Sequence, residues 1–186
     1  MTEITALVHA ASAGDRAALK ALFATVYDEL KRLAHRQLAA NANATINTTG
    51  LVHEAYLKLI VPDSLRLNDR GHFFATAAKA MRQIVVDHAR KAVADKRGGP
   101  GAQAVTLEDD AAIDALDPET MTRLDVALTQ LQQLEPRLAE LVEMRFFAGL
   151  SVLQVAELRE VATRTVLRDW RRARAYLFDS VRAAQA

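Results

Sequence analysis

Five residues between positions 164 and 172 carry side chains that suit contact with a polyanion: Arg164, Thr165, Arg168, Arg171 and Arg172. Arginine presents a planar fork of donors that can bind phosphate oxygens or read a guanine edge in the major groove of DNA. At about 100° per residue, three of these arginines lie opposite an apolar stripe that runs from Val166 to Leu177. The pattern predicts a helix with one face that packs and another that binds nucleic acid. A solvated arginine face on a packing helix is the alternative, since charge runs often serve solubility alone.

The residues before this helix predict the element that positions it. In "FFAGLSVLQVAELREVATRTVLRDW", Gly149 ends one helix and Ser151 caps a short second helix that reaches Leu158. A tight turn then leads into the arginine-bearing helix. This order is that of a helix-turn-helix, whose second helix enters the major groove.

The composition predicts an all-α protein that folds without disulfides. Hydrophobic residues make up 51% of the 186-residue chain, which is enough for a buried core, and there is no cysteine. Apolar residues recur at helical spacing and β-branched runs are scarce. The sequence has neither an export leader nor the run of about 18 apolar residues that spans a membrane. We therefore expect a cytoplasmic protein with no membrane association.

Charge and composition divide the chain into three parts. Residues 1–98 hold 14 basic and 9 acidic residues, residues 99–120 hold none and 6, and residues 121–186 hold 10 and 8. The "GGPG" stretch ends the helical pattern, and the acidic part after it has the composition of a linker. We predict two small helical domains, 1–98 and 121–186, joined by the acidic linker 99–120. The basic domains indicate a polyanionic partner.

The sequence lacks the motifs of enzymes and of metal or cofactor sites. "HEAYL" has Leu57 where a zinc-protease helix needs its second histidine, and "GGPG" lacks the lysine and hydroxyl residue that complete a phosphate-binding loop. The five histidines have no ligand spacing on one helix. We predict no enzymatic activity, no cofactor, no metal ion and no small-molecule substrate.

Longer stretches of the chain resemble one protein family. "ELVEMRFFAGLSVLQVAEL" and "RTVLRDWRRARAYL" resemble the promoter-reading region 4 of bacterial RNA polymerase sigma factors of the extracytoplasmic-function (ECF) type. "GDRAALKALFATVYDELKRLA", "LVHEAYLKL" and "HFFATAAKAMRQIVVDHAR" are similar to region 2 of the same family. The resemblance implies a transcription initiation factor that binds core RNA polymerase and promoter DNA. It places region 2 in domain 1–98 and region 4, which reads the −35 element, in domain 121–186.

The turn of the helix-turn-helix departs from the family pattern. The family usually has a leucine, a glycine and a serine-like cap where this chain has Arg159, Glu160 and Ala162. We expect a non-glycine residue to be forced into the turn. Loss of the cap at Ala162 should cost about 1 kcal/mol unless Thr163 serves instead.

The resemblance also implies that region 2 separates the strands at the −10 element and flips one base into a pocket formed largely by "VPDSLRLNDRG". The residues expected to contact −10 DNA are Asn68, Arg70, Arg82, His88, Arg90 and Lys91. The cations among them can follow the phosphate backbone. Phe73 and Phe74 are adjacent and point in different directions, so they serve either as core residues or as stacking platforms for bases.

The helix predicted to start at Leu51 is expected to bind the polymerase. In the family this helix docks on the coiled coil of the β′ subunit, and the corresponding residues here are Leu51, His53, Glu54, Leu57 and Lys58. Leu57 lies among polar neighbours, across the helix from its apolar arc.

The start of this helix lacks the acidic residues that most of these sigma factors carry and has "NTTG" instead. Thr48 or Thr49 could be a helix N-cap. Alternatively, phosphorylation of Thr49, or as a second choice Thr48, would add a charge of about −2 at the helix N-terminus and restore the missing acid. The chain resembles the branch of the family that lacks the acidic region 2.2 motif and is controlled by serine/threonine kinases. A protein kinase is therefore an expected partner.

Two other functions stay open on the sequence. The chain could be a helix-turn-helix regulator that binds DNA without core polymerase. It could also be a signalling protein whose amino-terminal domain is a kinase-controlled docking module.

Overall fold

The computed structural model describes residues 3–39, 48–60, 69–96 and 117–184, and every regular element in these ranges is helical, which confirms the all-α prediction. The helices in chain order are α1 (Glu3–Ser12), α2 (Arg16–Ala39), α3 (Thr48–Ile60), α4 (Arg70–Lys96), α5 (Pro118–Leu134), α6 (Pro136–Val142), α7 (Val152–Leu158) and α8 (Thr163–Ala183). A π-helical turn, Glu143–Phe147, continues α6. Most of the expected linker 99–120 lies outside the described residues, and α5 begins inside it at Pro118.

Helices α1 to α4 form the amino-terminal half. The sequence patterns did not predict α1, which packs on α2 and α4. The Asp15 carboxylate caps α2, since it accepts hydrogen bonds from the backbone N–H groups of Ala17 at 2.8 Å and Ala18 at 3.0 Å. In the same way, the Asp69 carboxylate accepts a hydrogen bond from the N–H of His72 at 2.7 Å and caps α4. Both helices therefore begin at an acid that satisfies their free N–H groups.

Aromatic rings join α2, α3 and α4 in the core of this half. The centre of the Phe23 ring lies 4.6 Å from that of Tyr56 and 6.0 Å from that of Phe73. Phe73 in turn lies 5.5 Å from Phe74, and all three pairs meet edge to face. Phe73 and Phe74 expose 0% of their surface, so both are core residues and neither is available to a base. Removing each ring from water contributes about 1.5–3 kcal/mol.

Helices α5 to α8 form the carboxyl-terminal half, in the predicted order. The apolar stripe of α8 is buried, as the spacing of Val166, Trp170, Ala173 and Leu177 predicted, and the buried Val181 extends it by about one turn. Ser151 caps α7 in a capping box, in which its hydroxyl accepts a hydrogen bond from the N–H of Gln154 and its own N–H donates to the Gln154 side chain. Gly149 ends the π-helical turn at φ +66°, a conformation that suits glycine.

Asp117 caps α5 where the carboxyl-terminal half begins. Its carboxylate accepts hydrogen bonds at 3.0 Å from the backbone N–H groups of Glu119 and Thr120, and at 2.6 Å from the Thr120 hydroxyl. Burial raises the pKa of Asp117, but these hydrogen bonds and the charge of Arg123 more than offset it, so the pKa lies below its ordinary value of 3.8. The folded protein thus favours the ionised carboxylate.

Replacing Asp117 with alanine is expected to lower the free energy of unfolding by about 1 kcal/mol at neutral pH, because the cap is lost. Thermal unfolding should show a decrease in Tm of about 2–4 °C. Since the folded-state pKa is depressed, the stabilisation is present above the unfolded value of 3.8 and is lost as the pH falls through the folded value. The difference between the two proteins should therefore shrink below pH 3.8. Asp117→Asn is the matched control, because asparagine caps without a charge and should keep most of the neutral-pH stability.

The two halves are in direct contact through α4. This helix packs against α5 and the π-helical turn. Near its start, Gly71 faces the backbone oxygen of Leu158 at the end of α7, and a Cβ at position 71 would lie 2.8 Å from that oxygen. Only glycine permits such a close approach of the two backbones. We call this arrangement of the halves the closed form.

Candidate nucleic-acid interface

The helix-turn-helix places the predicted −35 residues on α8, outside its buried stripe. Arg164, Arg168, Arg171 and Arg172 are exposed, and Thr165 is half-buried. Arg168 Nη2 lies 3.1 Å from Asp169 Oδ1, and Arg172 Nη2 lies 2.9 Å from Glu135 Oε1. Exposed ion pairs of this kind contribute about 0–1 kcal/mol, so a DNA phosphate can replace either carboxylate.

A cation–π contact fixes α8 to the π-helical turn. The Arg145 guanidinium lies 4.4 Å from the centre of the Trp170 ring, which is itself buried. Such contacts contribute about 0.5–2 kcal/mol, and this one ties the middle of α8 to the rest of the half. Together with the buried stripe, this contact fixes α8 against the rest of the carboxyl-terminal half.

The turn between α7 and α8 carries the departures that the sequence suggested. Glu160 adopts φ +53°, the left-handed region that costs a residue with a Cβ about 1 kcal/mol, so the expectation of a non-glycine residue forced into the turn is confirmed. Ala162 is the N-cap of α8 and provides no side-chain hydrogen bond. Thr163 is the first residue of the helix, so it does not take the place of the cap.

A double variant, Glu160→Gly with Ala162→Ser, is expected to raise the free energy of unfolding by about 1–2 kcal/mol. Glycine relieves the left-handed strain, and serine accepts a hydrogen bond from a free N–H of α8. Chemical denaturation of the full chain measures the gain. Glu160→Ala with Ala162→Ser serves as the control, because it removes the charge and adds the same cap but keeps the Cβ at position 160. If this double variant gains as much as the one with glycine, strain in the turn is not the cause.

The predicted −10 residues on the described part of α4 point in different directions, and Asn68 lies outside the described residues. Arg90 and Lys91 are exposed. His88 is half-buried, with its Nε2 3.7 Å from Glu54 Oε1 on α3. Arg70 is half-buried too: its guanidinium lies 5.5 Å from the centre of the Phe74 ring, and its Nη1 lies 3.9 Å from Glu157 Oε1 on α7. The cations therefore do not form one continuous phosphate-binding row in the closed form.

Arg82 is buried between the halves, with 6% of its surface exposed. Its Nε donates to Asp125 Oδ1 at 2.8 Å, and its Nη1 donates to Glu143 Oε1 at 2.7 Å. Its Nη2 donates to the Thr129 hydroxyl at 2.8 Å and to the Asp125 backbone carbonyl at 2.9 Å. We call these four residues the Arg82 cluster. Arg82 is not available to DNA in the closed form, because α5 and the π-helical turn already accept its hydrogen bonds, and its contact with DNA stays a prediction.

The acids of the Arg82 cluster were not predicted from the sequence. Glu143 is 4% exposed, and this burial raises its pKa above the ordinary value, although the hydrogen bond and charge of Arg82 act in the opposite direction. Asp125 also accepts a hydrogen bond from Arg90 Nη2 at 2.9 Å, so two cations of α4 meet one acid of α5. The available signal was an acid inside an apolar run, "LVEMRFF", which marks a charge that needs a buried partner.

Four of the five predicted polymerase-binding residues are accessible on α3. His53, Glu54, Leu57 and Lys58 are exposed, and Leu57 exposes 45% of its surface. Leu51 exposes 0% and belongs to the core of the amino-terminal half, so the prediction that it contacts the polymerase is wrong in this structure. Its place in the apolar arc of α3 explains the burial.

Helix α3 begins at Thr48, three residues before the predicted start at Leu51. Thr49 is therefore the second residue of the helix, inside its first turn, and its side chain is exposed. The interpretation of Thr49 as the N-cap is wrong. The side chain of Thr48 lies outside the described part of the structure. The first turn of α3 holds no acidic residue, so the positive end of its dipole has no acidic side chain from its own first turn.

The described ranges hold neither a candidate metal-binding cluster nor a candidate membrane-spanning helix. No group of three or more His, Asp or Glu residues there could hold a metal ion. None of the described helices is both long and apolar enough to cross a bilayer.

A comparison with family models decides between the functions that the sequence left open. The model of the ECF sigma factor family matches residues 1–183. The chain belongs to this family. ECF sigma factors bind RNA polymerase and direct initiation at promoters, so core RNA polymerase and promoter DNA are partners of this sigma factor. A regulator that acts without polymerase and a docking module alone are thereby set aside. No curated protein matches this sigma factor.

Proposed function

We propose that this sigma factor reads the −10 element with its amino-terminal half and the −35 element with α8, and that phosphorylation of Thr49 by a serine/threonine kinase switches on its binding to core RNA polymerase. The observation that carries the switch is an exposed threonine in a helix start that has no acidic residue. This arrangement fits the branch of the family in which the acidic region 2.2 motif is missing.

The proposed polymerase-binding face lies on α3. Leu57 exposes 45% of its surface among the polar side chains of His53, Glu54 and Lys58. A hydrophobic side chain with a polar rim is the composition of a protein-binding hot spot, and its partner here would be the coiled coil of the β′ subunit. Lys58 Nζ lies 3.7 Å from Asp87 Oδ2 on α4, which helps to hold the face in place.

Thr49 belongs to the same face. Thr49, His53 and Leu57 are spaced by four residues, so they form one row along α3, and all three are exposed. At a rise of about 1.5 Å per residue, Thr49 lies about 12 Å from Leu57 along the helix axis. A phosphate on Thr49 would therefore extend the face that Leu57 anchors, in the place where most family members have acids. The helix dipole favours the added charge at this end.

The proposed DNA contacts follow from charge and exposure. The four exposed arginines of α8 suit the phosphates and guanine edges of the −35 element. In the amino-terminal half, Arg90 and Lys91 are the exposed cations of the proposed −10 set on α4. They suit the backbone of a separated strand, and Arg70, His88 and Arg82 would join them once their present partners release them.

The test is binding of the purified sigma factor to core RNA polymerase, measured for the unmodified protein and for protein phosphorylated at Thr49. We expect the phosphorylated form to bind at least about tenfold more tightly, which corresponds to about 1.4 kcal/mol. Leu57→Ser should weaken binding of both forms, because it removes the hydrophobic anchor without touching the core. Equal binding of the two forms would contradict the switch. Binding that Leu57→Ser leaves unchanged would contradict the α3 face.

A further inference from the structure

We infer that the closed form is autoinhibited: the carboxyl-terminal half covers the DNA-binding face of α4, and the Arg82 cluster together with the contact between Gly71 and Leu158 holds it there. This inference rests on the proposed function, since it takes α4 as the −10 helix. It adds a restraint between the two halves that is separate from Thr49.

Protein carboxylates already bind the arginines that DNA phosphates would have to bind. Arg82 donates to Asp125 and Glu143 at 2.7–2.9 Å, and Arg90 donates to the same aspartate at 2.9 Å. Arg70 lies 3.9 Å from Glu157. The carboxylates of α5, the π-helical turn and α7 thus lie at the positions that the phosphates of a bound DNA strand would take. DNA can bind this face of α4 only after the acids leave.

Two independent contacts with the carboxyl-terminal half lie on one face of α4. Gly71 and Arg82 are 11 residues apart, which is close to three full helical turns and about 16 Å along the axis. One contact is electrostatic, and the other depends on the missing Cβ of a glycine. The carboxyl-terminal half is therefore held at two separated points, which fixes its orientation as well as its position.

The closed form is too short to span a promoter. The −10 and −35 elements are about 25 base pairs apart by their names, or roughly 85 Å at about 3.4 Å per base pair. A compact chain of 186 residues has a radius of gyration of about 16 Å, and so a diameter of roughly 40 Å. Two halves in direct contact cannot reach both elements at once. The closed form must open before the promoter is read.

The closed form leaves the α3 face free. His53, Leu57 and Lys58 are exposed while Arg82 on α4 is buried. Core polymerase can therefore dock on α3 first, and promoter DNA can compete for α4 afterwards. This order would keep the free sigma factor from binding DNA without polymerase.

The experiment measures the separation of the halves in the full chain. The chain has no cysteine, so Ala17→Cys on α2 and Gln133→Cys on α5, both at exposed positions, allow specific labelling for energy transfer. Glu143→Arg places a cation against Arg82 and should reduce transfer efficiency by at least half. Glu140→Arg is the matched control: it makes the same charge change three residues earlier, where Glu140 pairs with Arg159 of the same half at 2.9 Å.

Gly71→Ala provides a second variant that changes no charge. Its Cβ would lie 2.8 Å from the Leu158 oxygen, so the halves should separate, while alanine suits the helix better than glycine. Circular dichroism checks that the variants keep their helices. We expect Gly71→Ala to bind a fluorescent single-stranded oligo-dT at least tenfold more tightly than the wild type, because α4 is uncovered.

The outcomes separate this inference from the proposed function. Wild-type energy transfer in both Glu143→Arg and Gly71→Ala would overturn the restraint, and separation without tighter oligo-dT binding would overturn the inhibition. If both variants open and bind oligo-dT more tightly, the inference stands. Failure of these open proteins to bind core polymerase, even with Thr49 phosphorylated, would then count against the proposed switch alone.

Discussion

Replacing Thr49 with alanine is expected to reduce promoter-directed transcription by about 100-fold, to the level seen without the sigma factor. The reason is that a desolvated charge pair across a protein interface contributes on the order of 2–3 kcal/mol, and the alanine variant can never acquire the charge. Reporter transcription in cells that hold the active kinase measures the effect. Thr49 is exposed in the first turn of α3, so the substitution should leave the fold intact.

Three further variants sharpen this prediction. Thr49→Glu carries about half the charge of a phosphate and should restore part of the activity without the kinase. Thr48→Ala tests the neighbouring threonine and should have a smaller effect. Thr25→Ala is the matched control, because Thr25 is an exposed threonine on α2 whose hydroxyl donates to the Ala21 carbonyl of its own helix at 2.8 Å. Full activity of Thr49→Ala would show that control lies elsewhere.

Replacing both Arg164 and Arg168 with alanine is expected to weaken binding of −35 DNA by about 100-fold, since each arginine contact to a phosphate or a base contributes about 1–3 kcal/mol. Both side chains are exposed on α8, and neither contributes to its buried stripe. Fluorescence anisotropy of the polymerase holoenzyme with a labelled −35 duplex measures the loss. A phosphate contact should also reduce the salt dependence of binding by about one unit per arginine, whereas a base contact should relax sequence preference.

The single variants Arg168→Ala and Arg182→Ala form a matched pair. Both remove one exposed arginine from α8, but Arg182 lies near the end of the helix, with its guanidinium 5.4 Å from the centre of the Phe178 ring. At about 1.5 Å per residue the two positions are roughly 21 Å apart along the axis. Arg182→Ala should leave −35 binding nearly unchanged. Equal losses would mean that net charge, and not the face of α8, governs DNA binding.

Local patterns in the sequence predicted the elements that depend on local physics. The cap at Ser151, the break at Gly149 and the buried stripe from Val166 to Leu177 all follow from residues within one or two helical turns of each other. The strained residue in the turn, Glu160, was predicted from the family resemblance instead, because the family usually has a glycine at this position. Helix-turn-helix geometry is therefore encoded within a short segment.

Contacts between distant segments could not be predicted in this way. Arg82 and Glu143 are 61 residues apart, and the sequence around either residue does not indicate that the other is its partner. Resemblance and charge assigned Arg82 to −10 DNA, whereas tertiary packing gives it protein carboxylates in the closed form. Resemblance also placed Leu51 on a binding face, while its position in the apolar arc of α3 places it in the core.

The contact at Gly71 makes the closed form unusually easy to lose by mutation. Every other amino acid carries the Cβ that would lie 2.8 Å from the Leu158 oxygen, so almost any substitution at this codon disturbs the contact. Loss of the Arg82 cluster instead requires a change at one of a few particular charges. Random mutation of the gene should therefore yield alleles that have lost this restraint more often than alleles with a tighter restraint, and in cells that hold the active kinase a genetic selection for promoter activity should collect them at position 71.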